Sequence, residues 1–205
     1  MTILDVKRNF IVDTATELFL GRSIAEVTIR DIAAKAGVGE ATVYRYFTKK
    51  LNIVQASAEK LQREVFEGYF VPRREGDGYH RLKSFFDAYL AIFRDHTEFY
   101  RFVSEFDAYL LSEGVSSSED YSSGVDLFRD VFLAAYEAGV RDGSVRRMEG
   151  EAEQFYYAAA HAMLGLCKKL ATERGIVRQD LGTDKLSELN ELKKMILFYL
   201  VNPRV

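Results

Sequence analysis

The sequence predicts an all-α protein, and three observations carry that prediction. Apolar residues recur at the 3.6-residue period of an amphipathic helix through nearly all of the 205 residues. Only two prolines, Pro72 and Pro203, stand in the way of long helices. No segment shows the strict alternation of a half-buried strand. The expected architecture is an N-terminal three-helix unit of the helix-turn-helix type over residues 1–49. An antiparallel helical domain over residues 50–205 follows, for about nine helices in all.

Helix 1 is expected from about Leu4 to Leu20. Thr28 then precedes an apolar-periodic run and suits an N-cap, with its hydroxyl within reach of the backbone N–H of Arg30 or Asp31. Asp31 adds a carboxylate in the first turn, where the helix dipole favours negative charge. Ile29, Ile32, Ala33 and Ala36 share one face of helix 2. Gly37 stands where that helix must end, in a left-handed conformation cheap for glycine. Val38 plugs the turn, Val43 faces inward from helix 3, and Phe47 closes the unit. Ala33 is small where two helices cross.

Two short helices joined by a tight turn are the geometry that sets a helix in the DNA major groove. The outward residues of helix 3 are Glu40, Ala41, Thr42, Tyr44, Arg45 and, in part, Tyr46, which suit phosphate oxygens and base edges. Arg45 has the geometry to grip guanine at two acceptors. Lys49 and Lys50 follow at the start of helix 4, within reach of phosphates.

Residues 11 to 54 resemble the DNA-binding domain of the TetR family of bacterial repressors. The resemblance is carried by Ile11, Ala15, Leu18, Phe19, Thr28, Asp31-Ile32-Ala33, Ala36-Gly37-Val38, Thr42-Val43-Tyr44, Tyr46-Phe47 and Lys50. It implies Thr42, Tyr44, Tyr46 and Lys50 as phosphate contacts and the residues from Gly39 to Arg45 as base readers. The expected DNA-contacting set is therefore Thr28, Gly39, Glu40, Ala41, Thr42, Tyr44, Arg45, Tyr46, Lys49 and Lys50. The chain departs from the family pattern at Gly39, where serine is usual, at Ser23, where glycine is usual, and at Leu51, where glutamate is common. Glu40 is acidic at a groove-facing position, where it can accept from cytosine N4.

Helix 4 runs from near Lys50 to about Phe70 and is the expected mechanical link between the two domains. A break at Pro72 to Gly78 leads to helix 5, with Leu82, Phe85, Phe86, Tyr89 and Phe93 at helical spacing. Thr97 is expected to cap helix 6. A serine-rich acidic loop spans Glu113 to Gly124, and helix 7 is expected to end at Gly139. Helix 8 covers about Glu149 to Arg174, and helix 9 about Asp184 to Val201.

The chain carries 27 Phe and Tyr and no Trp. An aromatic stripe at helical spacing reads first as core, but resemblance to TetR regulators implies a helical body that binds a small apolar or aromatic effector. The candidate lining set is Phe66, Phe86, Tyr89, Phe93, Phe102, Phe106, Phe128, Phe132, Tyr136 and Tyr156. Glu105 and Asp107 read as solvated surface. Helices 8 and 9 are expected to pair two copies through Phe155, Ala159, Met163, Leu166, Leu170, Leu189, Ile196, Tyr199 and Leu200, a four-helix bundle on a two-fold axis. Two readers on one duplex must meet successive major grooves, roughly 34–36 Å apart or a multiple of that.

Composition bounds the rest. Nearly half of the residues, 48%, are hydrophobic, enough for a real core. Residues 1–50 hold eight Lys/Arg against six Asp/Glu, a net +2, while the remainder is net −5. The reading end is thus positive relative to the body. No apolar run approaches the roughly 20 residues of a membrane span, and Met1 to Phe10 lacks the apolar core of a signal peptide. The single cysteine, Cys167, excludes an internal disulfide and suits a reducing cytoplasm; its apolar helical setting suggests an inert thiol. His80, His96 and His161 match no metal spacing, and His161 reads as a buried or interface residue. No cofactor, metal or catalytic signature is expected. The resemblance implies a ligand-responsive transcriptional repressor, homodimeric on a palindromic operator and released by its effector. The alternative is a helical small-molecule carrier without DNA function.

Overall fold

The computed structural model describes residues 3–71, 75–115, 125–172, 182 and 184–202. Pro72, Pro203, residues 116–124 of the serine-rich loop and the expected end of helix 8 at Arg174 lie outside the described residues. Among the described residues the chain forms nine helices and no strand. They are α1 (Ile3–Gly21), α2 (Ile29–Lys35), α3 (Glu40–Tyr46), α4 (Lys50–Tyr69), α5 (Gly78–Asp95), α6 (Thr97–Ser112), α7 (Val125–Asp142), α8 (Ala152–Ala171) and α9 (Lys185–Leu200). The all-α expectation holds. One isolated antiparallel bridge joins Val145 and Val201. No helix among the described residues is long and apolar enough to cross a membrane, and none of their His, Cys, Asp and Glu side chains cluster to hold a metal.

The chain divides into two compact units, Met1–Glu64 with Arg101–Tyr121 and Val65–Tyr100 with Ser122–Val205, the division falling within α4 and within α6. In the first unit α2 packs on α1 and α3. Ile11, Ala15, Phe19, Ile32, Ala33, Val43, Ile53 and Val54 are buried there. Phe102 and Phe106 of α6 are also sealed in this unit, stacked on each other at 6.0 Å, with Phe102 6.4 Å from Phe19. These two rings are core of the first unit, whereas the other eight candidate effector residues belong to the second.

In the second unit α5 packs on α7, α8 and α9, and α8 packs on α7 and α9. Phe86 and Phe132 are completely buried, and Tyr89, Phe93, Tyr136 and Tyr156 nearly so. Phe66 and Phe128 are half-buried and meet edge-on at 5.2 Å. The Tyr136 hydroxyl accepts from the Met148 N–H at 2.9 Å. Phe86 meets Phe132 edge-on at 6.1 Å and stacks on Tyr89 at 6.4 Å, and Tyr156 lies tilted against Phe132 at 5.4 Å, so these rings fill the interior. Cys167 is buried, and burial pushes its thiol up to about 12, so it stays protonated.

Three element boundaries differ from expectation. Helix α7 does not stop at Gly139 but continues to Asp142, with the left-handed glycine at Gly143. Gly139 serves close packing instead: a Cβ on Gly78, at the start of α5, would lie 2.0 Å from the Gly139 nitrogen. Asp142 fastens this crossing by accepting from the Gly78 N–H at 2.8 Å and from the Ser144 hydroxyl and N–H. Thr97 opens α6, but its hydroxyl donates back to the Phe93 carbonyl rather than capping. Helix α8 starts at Ala152, three residues later than expected.

The expected dimer residues also separate into two groups. Ala159, Met163, Leu189, Ile196 and Leu200 are core of the second unit, and Phe155, Leu166 and Leu170 are half-buried. Of the nine only Tyr199 is exposed, at 47%, with its ring stacked on Phe155 at 5.3 Å. The outward apolar face of α9 is instead Met195 and Phe198, at 68% and 82% exposure. On α8, Ala158, His161, Ala162 and Gly165 face outward. His161 is therefore exposed, lying against the Tyr157 ring at 5.9 Å.

Candidate nucleic-acid interface

The reading head is built by local chemistry. Thr28, in extended conformation, accepts from the Asp31 N–H at 3.1 Å, and the Asp31 carboxylate accepts from the Thr28 N–H at 2.9 Å and from its hydroxyl at 2.8 Å. This is a complete capping box, and those hydrogen bonds hold the Asp31 carboxyl below its usual range. Gly37 takes φ +65° as the chain leaves α2, and Val38 N–H closes on the Ala33 carbonyl at 3.0 Å. Gly39 precedes α3 in extended conformation without any side-chain cap, the consequence of having no hydroxyl there.

Helix α3 turns Val43 inward, completely buried, and leaves Glu40, Ala41, Tyr44 and Arg45 exposed with Thr42 half-buried. Tyr44 is 52% exposed. The Arg45 guanidinium lies over the Tyr46 ring at 5.3 Å, a cation–π contact. Lys49 is exposed beside this face, and its backbone N–H is capped by the Asn52 side chain at 3.2 Å. Gly39, Glu40, Ala41, Thr42, Tyr44, Arg45 and Lys49 thus form one accessible patch.

Three of the expected contacts are engaged within the protein or buried. The Thr28 hydroxyl spends its only proton on Asp31. The Tyr46 hydroxyl is buried with no hydrogen-bond partner among the described residues. The Lys50 ammonium turns back into the protein and donates to the Ile24 carbonyl, with the Ala25 carbonyl at 3.5 Å and the Tyr109 ring at 5.3 Å. Burial lowers its pKa. None of these three presents a donor to a phosphate in this arrangement. A buried unpaired phenol is costly, so Tyr46→Phe is expected to leave stability unchanged or raise it by up to about 1 kcal/mol. Urea denaturation checks this; a loss of more than that would mean the hydroxyl is paired.

Sequence reading also missed a grip on the α1–α2 connection. Glu105 of α6 accepts from the Ile24 N–H at 2.7 Å, and the Arg101 guanidinium donates to the Leu20 carbonyl. With Lys50 on the Ile24 carbonyl, both backbone polar groups of Ile24 are held by charged side chains. Glu105 is therefore a positioning residue for the head and not solvated surface. No local pattern could have revealed it, because the partners are 81 residues apart. Glu105→Ala is expected to cost about 1.5–3 kcal/mol, the range for a hydrogen bond to a charged group. Thermal unfolding of the variant against Glu105→Gln, which keeps an acceptor, checks it.

Residues 11–56 match the family described as bacterial regulatory proteins, tetR family. Over 49 residues the chain is 41% identical to the HTH-type transcriptional regulator SrpR of Pseudomonas putida, covering 24% of this chain and 23% of that protein. The aligned segments span between 23% and 37% of the curated relatives' own lengths. Among solved structures, the chain is similar to a putative transcriptional regulator from Saccharomonospora viridis in complex with choline, at TM-score 0.74 and 20% identity, with 95% and 97% of the two chains covered. It is also similar to the transcriptional regulator FadR from Bacillus subtilis in complex with stearoyl-CoA, at TM-score 0.61 and 16% identity, with 93% and 97% covered. At these identities the likeness to solved structures is one of fold.

Proposed function

We propose that the chain, whose residues 11–56 match the tetR family of bacterial regulatory proteins, is a member of that family and a ligand-responsive transcriptional repressor of the cytoplasm. The observation that carries the reading is the exposed face of α3 on a head fixed by the Thr28–Asp31 capping box and the Ile24 grip. In it, Arg45 and Glu40 read base edges, and Thr42, Tyr44 and Lys49 approach phosphates. The first domain, residues 1–49, reads DNA, and residues 50–205 receive the effector and pair two copies. Met195 and Phe198 of α9, with the small outward residues of α8, form the pairing face, and the resulting two-fold axis calls for a palindromic operator.

Release follows from α4, one continuous helix from Lys50 to Tyr69. An effector bound among α4, α5 and α7 shifts α4 and with it the spacing of the two α3 helices. The coupling is the difference in effector affinity between the DNA-competent and incompetent states. That two structurally similar regulators hold choline and stearoyl-CoA supports a small-molecule input in this fold.

Selection of bound sequences from a random DNA pool with the purified protein tests the reading. An enriched palindrome is expected, and the absence of any enriched sequence would overturn it. On that operator, Arg45→Ala is expected to relax base preference at one position per half-site, at a cost of about 1–3 kcal/mol. Competition binding against single-base operator variants checks it, and unchanged discrimination would remove Arg45 from the readout.

A further inference from the structure

Where the end of α4 meets α5 and α7, the facing side chains shrink. Gly68, Ala88, Ala91, Ala134 and Ala135 leave a pocket of about 240 Å³. Tyr69, Phe70 and Phe85 wall it. Phe70 is braced by edge-on contacts to Phe85 at 5.1 Å and Phe128 at 4.8 Å. None of the ten aromatic residues singled out from the sequence lines this pocket. Its volume sits just below the roughly 300–1,000 Å³ of drug-sized sites, which calls for a small ligand.

The polar groups come from α5, as Arg81, Ser84 and Asp87. Both oxygens of Asp87 are taken: Oδ1 by the Lys193 ammonium and Oδ2 by the Lys83 ammonium, each at 2.7 Å. Lys193 is itself 9% exposed. A cationic ligand would therefore find the one carboxylate of the lining already occupied, with the Arg81 guanidinium in the same lining. The Gly76 carbonyl accepts from Arg81 Nε at 3.2 Å and orients the guanidinium fork, which can serve several acceptors at once. Asp142, whose carboxylate feels Arg81, already accepts from Gly78 and Ser144. Asp77, which feels Asp142, joins Asp87 and Asp142 against Arg81, Lys83 and Lys193, so the choice of ligand rests on Arg81 and Ser84 as the donors that line the pocket.

We propose that this pocket binds a small carboxylate with a compact apolar body, the carboxylate gripped by Arg81 and Ser84 and the body lying against Tyr69, Phe70 and Phe85. Guanidinium and carboxylate match as a bidentate pair, stronger than any neutral hydrogen bond available there. The regulatory consequence of this binding rests on the effector reading above.

Isothermal titration of the full chain with 3-phenylpropionate, its neutral amide and its amine analogue 3-phenylpropylamine tests the assignment. The carboxylate is expected to bind about 10- to 100-fold more tightly than the other two. Arg81→Gln is expected to erase that preference while amide binding persists, and Ala91→Leu, which fills the pocket, to weaken all three. Equal or tighter binding of the amide or amine would overturn the ligand class. So would no binding by any of them, or a carboxylate preference unmoved by both substitutions. Operator binding is read separately. Acid that binds the pocket yet leaves DNA affinity unchanged would uphold the site and overturn its role as the effector input. Release of DNA by the amide or amine alone would uphold an effector input and overturn the carboxylate.

Discussion

Phe198→Glu is expected to give a folded monomer whose operator affinity falls by about 10²–10⁴, the avidity lost when two linked readers become one. Phe198 is 82% exposed, so within one chain the substitution removes no packing. In a two-fold interface each residue appears twice, and a buried phenylalanine contributes about 1.5–3 kcal/mol per copy. The glutamate adds the cost of desolvating a charge with no cation opposite. Sedimentation velocity reads the association state and fluorescence anisotropy the affinity. A variant that remained dimeric would move the interface off α9. Met163→Ala is the informative contrast: Met163 is completely buried in its own chain. Its truncation is expected to cost about 2–5 kcal/mol of folding stability.

Gly78→Ala carries the largest expected effect on stability. The new Cβ would lie 2.0 Å from the Gly139 nitrogen, 2.1 Å from the Gly139 Cα and 2.7 Å from the Ala135 carbonyl oxygen. All three are backbone atoms and cannot rotate aside, so α5 and α7 must part. Overpacking typically costs about 1–3 kcal/mol, and a clash with backbone on both sides belongs at or above the top of that range. A loss of about 3 kcal/mol corresponds to a melting point lower by about 6–12 °C in a chain of this size. Gly21→Ala is the control, since a Cβ there meets nothing within 4 Å. Calorimetry of both variants checks the difference, and equal melting points would mean the helices are not in contact at Gly78.

The head was legible because its determinants are local. Thr28, Asp31, Gly37 and Val43 act through caps, a left-handed residue and one inward face, all within a few residues of one another. The outward apolar face of α9 was not. Helices α8 and α9 are apolar on two sides, one for their own core and one left outward, and periodicity cannot say which side is which. The reading from sequence chose Ala159, Met163 and Leu189, which point inward, and passed over Met195 and Phe198. The pocket escaped for the opposite reason. Alanine and glycine make the space, and their smallness carries no chemical signal, whereas the conspicuous rings of Phe86 and Phe132 fill the interior. Gly139 read as a helix end because a glycine in mid-helix looks like a terminator until the second helix it admits is known.

The grip on Ile24 separates two electrostatic effects that one experimental lever normally mixes. Contacts to phosphates are lost steeply as salt rises, because each releases condensed counterions. The Glu105 and Lys50 hydrogen bonds to Ile24 are partly sheltered from solvent and are screened much less. Raising ionic strength therefore strips the protein from DNA while its reading head keeps its shape. The slope of log affinity against log salt then counts phosphate contacts directly, uncontaminated by loosening of the α1–α2 connection.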